Sequence, residues 1–551
     1  MTKIIPLIII SSIIMNISAQ TVPNKKIIVH SWDLRVSLDD IVRNLDKIEK
    51  TPIDGISIFF QVKRSKPPHP YFGSIMIDSK WDKSWFTKEL AGIKKISSGK
   101  LKHNFIFTKL TSRKRLSWND DASWENCAHN FGIMAWLAKQ AGAKGLIIDP
   151  EDYNHKKQYT YFPKDGTYAE TAKLARKRGG QIMKAIATEY PEAVLLFFWL
   201  LSIQPELYSC DKISKSNLER TGSLWPHFVD GMLDKLPSRM RIVDATENAY
   251  RYNAEYMEFY TSAVNITRKA VYLISPENQD KYRKQVQIGF GIYLDSYTTK
   301  NTKSPWYLPP LKGSRLKRFE LNFKQAMQVA DEYCWLCGEN GRLINWDSKT
   351  KKSKWDYSKG KSIKTWNQYL PGFNKKLAYI KNPDLYIDKI KKLIKSKTNL
   401  IKNADCKKIS SKNKSLPASW KFWQKKSSKG TFDIDKTQGS NDSFSVKGTG
   451  ITNGCFIVRT PVETGKSYAV EAFCKGKGKT VVQIRWKKNN KWAQENSDKS
   501  IYFINNGNSK WQHAFGIVDV PAGVDTLVVL LSVKQNGKQT IWFDNPAVYE
   551  L

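Results

Sequence analysis

Over the first two thirds of the chain, short apolar runs alternate with longer stretches in which apolar residues recur at helical spacing. The runs predict strands over Lys26–Trp32, Gly55–Phe60, Asn104–Leu110, Lys144–Asp149, Ala193–Leu200, Arg241–Asp244, Val286–Leu294 and Tyr333–Gly338. Some of them, Gly145-Leu-Ile-Ile among them, are apolar throughout, as in parallel strands covered on both faces. Between them the spacing predicts helices over Leu38–Lys50, Phe131–Gln140, Tyr168–Tyr190 and Leu316–Glu332. Eight strand–helix units in about 320 residues fit an α/β TIM (β/α)8 barrel with loop insertions. A doubly wound open sheet is the alternative, but no glycine-rich phosphate loop follows the first strand.

The pattern then changes. From Asp347 to about Gly430 lysine is dense, with Lys349, Lys351, Lys352 and Lys354 in one group and Lys389, Lys391, Lys392 and Lys395 in another. Asp384–Ile401 reads as a basic amphipathic helix expected to pack on the barrel, and Ser410–Ser415 as a linker. From Thr431 onward, strands of alternating polarity separated by Gly/Asn/Asp turns predict an all-β sandwich. At the other end, Lys3, the apolar Ile4–Met15 and the small Ser18-Ala19 have the layout of a signal peptide. The expected organisation is a signal peptide over 1–20, a barrel over 21–347, a Lys-rich helical extension and linker over 348–430, and a sandwich over 431–551. No later segment reads as transmembrane, so the mature chain is expected to be secreted, either periplasmic or extracellular.

Composition narrows the partners. The formal charge is +39, which favours anionic partners, unless lysine only decorates solvated faces. No zinc-finger, RRM or helix-turn-helix signature points to nucleic acid. In a secreted protein the anion expected is a sulfated or uronic polysaccharide. Aromatics make up 12% of the chain, including 19 tryptophans, which suits sugar stacking as well as ordinary cores. The seven cysteines are scattered and form no disulfide framework, although Cys455 and Cys474 share one β-rich segment and are candidates to pair. Cys334 and Cys337 form a CxxC with no second pair, so no metal site is expected.

The C-terminal part, from about Trp420 to Leu551, resembles the jelly-roll carbohydrate-binding modules of secreted glycanases. The likeness rests on Pro461-Val-Glu-Thr-Gly-Lys-Ser-Tyr468, on Trp511 with Val520-Pro521-Ala-Gly523, and on the closing Trp542-Phe-Asp544-Asn545-Pro-Ala-Val-Tyr549. It implies a structural role for Asp544, with a structural calcium ion beside it, and sugar contact by exposed aromatics such as Trp486, Trp492 and Tyr502. The N-terminal part resembles barrel glycoside hydrolases in architecture, which implies a carbohydrate cleft at the C-terminal ends of the strands.

Acidic residues gather at those predicted strand ends. Strand four runs into Asp149-Pro-Glu151-Asp-Tyr153, strand six into Asp244-Ala-Thr-Glu247-Asn-Ala-Tyr250, strand seven into Asp295, and strand eight into Trp335-Leu-Cys-Gly-Glu339; strand one ends in Trp32-Asp33. Glycoside hydrolysis needs two carboxyl groups whose environments set their proton affinities apart. Asp149 and Glu151, two apart in an extended stretch, share a side. Glu151 is expected as general acid/base, helped by the resemblance, since many barrel glycosidases place their acid after strand four. Glu247 is expected as its partner, with Asp295 and Glu339 as competitors. Trp32, Tyr153, Asp244, Tyr250, Asp295, Trp335 and Glu339 complete the expected substrate contacts. Each has a plainer reading as a helix cap, an ion pair or packing.

No Gly-x-Ser-x-Gly elbow or HExxH motif appears, and no catalytic cofactor is expected. The function expected is hydrolysis of a polysaccharide, anionic or neutral. The alternatives are a glycan-binding or adhesion protein that has lost its chemistry, and a polysaccharide lyase using Lys109 or Arg251 as neutraliser.

Overall fold

The computed structural model describes residues 25–551 apart from 78, 113, 153–156, 210–214, 348, 350–363, 494–497, 504–508 and 536. The expected signal segment, Tyr153 and most of the first lysine group therefore lie outside the described residues. The chain divides into two units, Met1–Pro383 and Asp384–Leu551.

In the first unit all eight expected strands form. They are β1 (Lys26–Ser31), β2 (Gly55–Ile58), β3 (Phe105–Lys109), β4 (Gly145–Asp149), β5 (Val194–Phe197), β6 (Arg241–Thr246), β7 (Val286–Tyr293) and β8 (Tyr333–Gly338). They pair in parallel in chain order, and β8 closes on β1 from Lys26↔Tyr333 to Ser31↔Gly338. The TIM barrel is thus confirmed. The continuous apolar runs are explained by burial on both faces: every residue of β2, β4 and β5 is buried.

The helices differ from expectation at their ends. Tyr168–Glu189 starts where Thr167 and Glu170 form a capping box. The helix expected from Phe131 begins ten residues earlier at Asp121, where the Asp120 side chain accepts the Ser123 N–H. Its polar first turns carry no apolar period. Leu38–Lys50 is two short helices, broken at Asn44, whose side chain bonds back to the Asp40 carbonyl.

The second unit is a β-sandwich. Its strands are β9 (Lys421–Gln424), β10 (Thr431–Asp435), β11 (Ser445–Thr449), β12 (Gly454–Pro461), β13 (Ser467–Gly476), β14 (Lys479–Lys488), β15 (Lys491–Trp492), β16 (Lys499–Tyr502), β17 (Gln512–Asp519), β18 (Thr526–Lys534) and β19 (Thr540–Glu550). One sheet has the order β10-β11-β19-β13-β17, the other β15-β14-β18-β12-β9, with β16 on β14. Side chains from both sheets, among them Val470, Phe543, Phe456 and Val529, share one core. Residues before Thr431 also enter it: Ile401, Cys406, Leu416 and Trp420 are buried there. The basic helix runs over Pro383–Ile394, and its Ile390 and Ile394 bury against Ala469 of β13. Cys455 and Cys474 are both free thiols, because alternation sends them to opposite faces: Cys474 into the core, Cys455 to an outer apolar strip with Val528 and Leu530. No helix among the described residues is long and apolar enough to cross a membrane.

Candidate active site

The C-terminal ends of the barrel strands surround a mouth floored by rings. His30, next to last in β1, lies among Phe59, Phe107, Phe198 and Trp335, at centroid distances of 4.9, 4.6, 4.9 and 5.8 Å. Trp335 lies flat on Phe198, 4.1 Å away, and its indole N–H donates to the Ala245 carbonyl at 2.8 Å. Glycine makes room for it, since a Cβ at Gly291 would stand 2.6 Å from the indole ring. Expected as a sugar platform, Trp335 is instead fully buried. Burial, reinforced by the charges of Arg35 and Lys109, pushes the His30 imidazole well below its ordinary proton affinity, so the floor is neutral.

Above this floor the carboxylates fall into two kinds. Asp244 and Asp295 are occupied with the backbone. Asp244 is wholly buried and accepts the N–H groups of Leu200, Leu201 and Ser202 at 2.9–3.0 Å, fastening the loop after β5. Asp295 accepts the N–H groups of Glu339 and Asn340 at 2.8 and 3.1 Å, fastening the turn after β8. Both were expected to contact substrate. Their oxygens are instead engaged by the protein, and burial raises the proton affinity of both against those bonds. Asp33 is used in part: its Oδ2 accepts the Leu343 N–H and the Trp346 indole N–H, each at 2.9 Å, while its Oδ1 is enclosed without a hydrogen-bond partner.

Asp149, Glu151, Glu247 and Glu339 are the second kind, and the structure brings them together. Asp149 is paired in register with Lys109, the last residue of β3, and its Oδ2 lies 3.8 Å from the Lys109 Nζ. Its Oδ1 accepts the Glu151 N–H at 2.9 Å, fixing the strand exit through Pro150. Glu151 itself is only half-buried. Burial lowers the Lys109 ammonium, while Asp149 and Glu151 favour its charge.

Glu247 is the outlier. Its N–H donates to the Phe198 carbonyl at 2.9 Å, which places it over the ring floor. Its Oε2 is enclosed and without a hydrogen-bond partner. Burial first, then the charges of Asp149, Glu151 and Glu339, push this carboxyl well above the ordinary range; the Tyr250 hydroxyl acts the other way. Glu339 is raised as well, by burial and by Asp295, against Arg35.

The aromatic walls are partly those expected. Tyr250 stacks on Tyr293 at 4.9 Å, and Trp306 meets both edge-on at 5.9 and 5.3 Å. Trp32 is half-buried and carries the Arg35 guanidinium 4.0 Å from its ring centroid. Arg251 lies over Trp306 in the same way at 4.5 Å. Arg35, Tyr293 and Trp306 were not among the expected site residues. Trp306 sits in a long loop that no strand-end rule reaches, and Arg35 carries no motif. Lys109 was legible as the residue closing β3 beside Asp149.

The second unit offers a different surface. On its six-stranded sheet, Trp423, Cys455, Ser532, Val481 and Tyr502 form one row of directly opposed positions across β9, β12, β18, β14 and β16. Four strand spacings put the exposed Trp423 and Tyr502 roughly 19 Å apart along that row. Trp492 is exposed further along the same sheet, opposite Lys487, with Arg485 and Lys487 at 4.5 and 4.7 Å from its ring. Of the expected sugar contacts, Trp492 and Tyr502 are on the outside, whereas Trp486 alternates with Val482 and Ile484 into the core. Asp544, expected beside calcium, accepts the Ser440 N–H and hydroxyl and the Asn545 N–H at 2.6, 2.8 and 2.8 Å. Among the described residues no group of three or more His, Cys, Asp or Glu side chains is placed to hold a metal ion.

No family model matches the chain, and no curated protein matches it. Among solved structures it is similar to the enzymatically active domain of tailspike protein 4 of bacteriophage CBA120, at 16% identity over 28% of this chain and 21% of that one, TM-score 0.23. It is similar to TmCBM61 in complex with β-1,4-galactotriose, at 15% identity over 28% of this chain and 99% of that one, TM-score 0.20. It is also similar to arabinose-bound MgGH51 α-L-arabinofuranosidase, at 13% identity over 28% of this chain and 26% of that one, TM-score 0.22. The likeness thus spans about a fifth of the tailspike domain and a quarter of the arabinofuranosidase.

Proposed function

We propose that the protein is a secreted glycoside hydrolase acting on a polysaccharide, with Glu247 as general acid and Glu151 as its partner. The observation that carries this reading is the enclosed, unbonded Oε2 of Glu247 amid the charges of Asp149, Glu151 and Glu339. A carboxyl so placed keeps its proton at a pH where exposed carboxyls have lost theirs. That reverses the roles expected from sequence, where Glu151 held the proton.

In this mechanism Glu247 gives its proton to the glycosidic oxygen as the bond from that oxygen to the anomeric carbon breaks. Glu151, half-buried and facing Lys109, then attacks the anomeric carbon or takes a proton from the water that does. Asp149 holds the Glu151 backbone and shares the Lys109 charge, so it is a positioning residue. Tyr250, Tyr293, Trp306 and Trp32 wall the sugar. The sandwich acts as a carbohydrate-binding module, with a glycan lying along the row from Trp423 to Tyr502.

The test is release of reducing ends from polysaccharides by the purified protein and by Glu247→Gln. The variant should lose turnover while still binding glycan. Turnover at the wild-type rate in the variant would remove Glu247 from the mechanism.

A further inference from the structure

Charge is divided unevenly between the two faces of the sandwich. On the six-stranded sheet the residues that alternate outward include six cations, Lys421, Arg459, Lys479, Arg485, Lys487 and Lys534, and no acid. On the other sheet the outward positions of β10, β11, β13 and β17 carry Asp433, Asp435, Glu471 and Asp519 against Lys447 and Lys475. Lysine that merely decorated a solvated surface would not sort itself this way.

The acids nearest the cationic face are engaged elsewhere. The loops that lead directly into or out of its strands, between residues 411 and 539, hold Glu463, Glu495, Asp498 and Asp525. Glu463 pairs with Lys466 at 2.8 Å and Asp498 with Arg485 at 2.9 Å. Asp525 accepts the Asn489 N–H and the Thr526 hydroxyl at 2.8 and 2.7 Å. Glu495 lies outside the described residues. Arg485 therefore has its counter-ion, whereas Lys421, Lys479 and Lys534 are exposed and form no hydrogen bond or ion pair among the described residues. Lys479 and Lys534 stand directly opposite each other on β14 and β18, a like-charge pairing that costs stability. An anion bridging the two ammonium groups removes that repulsion.

These cations flank the aromatic row. Lys479 and Lys534 lie two residues along from Val481 and Ser532, about 7 Å to one side of the line from Trp423 to Tyr502. Lys421 and Arg459 lie on the other side, two and four residues off it. A sugar ring stacked on the row has its edges toward both sets. A sulfate ester carries its charge away from the ring on an oxygen, whereas a uronate carboxyl is bonded to the ring itself. Cations set back from the stacking line suit the first. Lysine heads, compact and freely turning, meet a tetrahedral anion without a fixed fork.

We infer that the six-stranded face binds a sulfated glycan, with Trp423 and Tyr502 stacking its sugars and Lys421, Lys479 and Lys534 meeting sulfate groups along the two edges of the chain. This rests on the reading of the sandwich as a carbohydrate-binding module and not on the hydrolase.

Full-length Glu247→Gln protein is titrated with oligosaccharides of a sulfated galactan and with the same fraction after desulfation. The sulfated fraction should bind about tenfold tighter, several exposed ion pairs acting together, and added salt should erase most of the difference. The double variant Lys479→Gln, Lys534→Gln should lose most of the preference and Lys421→Gln part of it, each holding the desulfated fraction as before. Trp423→Ala should weaken both fractions. Equal binding of the two fractions, or a preference that both lysine variants keep, overturns the inference; the module reading outlives it if Trp423→Ala still weakens binding. Binding indifferent to Trp423→Ala and to the lysine variants alike removes the module reading as well. Oligogalacturonate or single-stranded DNA bound as tightly as the sulfated fraction also overturns the inference, the first against sulfate and the second against a glycan.

Discussion

The barrel mouth and the outer face of the six-stranded sheet both display aromatic rings with cations on them, yet they differ in what is done with acid. On the sheet face, Asp498 is bound to Arg485 at 2.9 Å, and the row from Trp423 to Tyr502 contains no carboxylate. At the mouth, four carboxylates crowd a space over an apolar floor, and one is driven to hold a proton. Rings with cations suffice to hold a chain. Breaking one needs a group whose charge state the protein has made unfavourable, and only the mouth pays for such a group. The comparison also divides the mouth itself, because Asp244 sits three residues before Glu247 and Asp295 is bonded to the backbone of Glu339, yet both have their oxygens engaged by N–H groups.

The largest expected effect tests the division between the two surfaces. Glu247→Gln should lower kcat by about 10²–10⁴-fold, the usual contribution of a general acid, while affinity for glycan at the sheet face is unchanged; initial rates and a binding titration on one preparation check both. Asp244→Ala tests the division within the mouth. Three buried N–H groups would be orphaned, so stability should fall by about 3 kcal/mol or more, measured by urea unfolding. Unaltered stability with lost activity would move Asp244 to the chemical side.

A smaller effect tests the strain on Glu247. Its raised proton affinity in the folded state means that folding is favoured while the group is protonated, and that this contribution is lost as pH rises through the folded value. Glu247→Gln should therefore match wild type near pH 4 and be more stable by about 1–3 kcal/mol at pH 8, the range for an unsatisfied buried polar group. Thermal melts at the two pH values check the sign. Smallest is Trp423→Ala on the sheet face, which should weaken glycan binding by about 1 kcal/mol, the scale of one aromatic contact, and leave kcat on a soluble oligosaccharide alone.

The barrel was legible because its strands are buried on both faces and so are written as unbroken apolar runs, local signals that survive without tertiary context. Strand ends followed, and with them the set of rim acids. What separates Glu247 from Asp244 was not legible: both are acids within four residues of each other, and the difference is whether N–H groups return from the loop at Leu200–Ser202. Trp335 and Trp306 divide in the same way. Its place at a strand end marked Trp335 as a sugar platform and nothing marked Trp306, yet Trp335 is turned into the barrel against Phe198 and Trp306 stands in a loop wall. In the sandwich, alternation alone does assign Trp486 inward, once Val482 and Ile484 are taken as core.

The contact of Trp335 with Phe198 reaches further than the floor. The Phe198 carbonyl holds the backbone of Glu247, so the height of the proton-bearing residue is set by a stack of rings that rests, in turn, on the missing side chain of Gly291. A single methyl group added at that glycine, out of reach of solvent and of any sugar, would tilt the indole, lift the phenyl ring and displace the acid. Loss of the proposed activity could thus be produced from beneath, with every side chain at the rim left as it was.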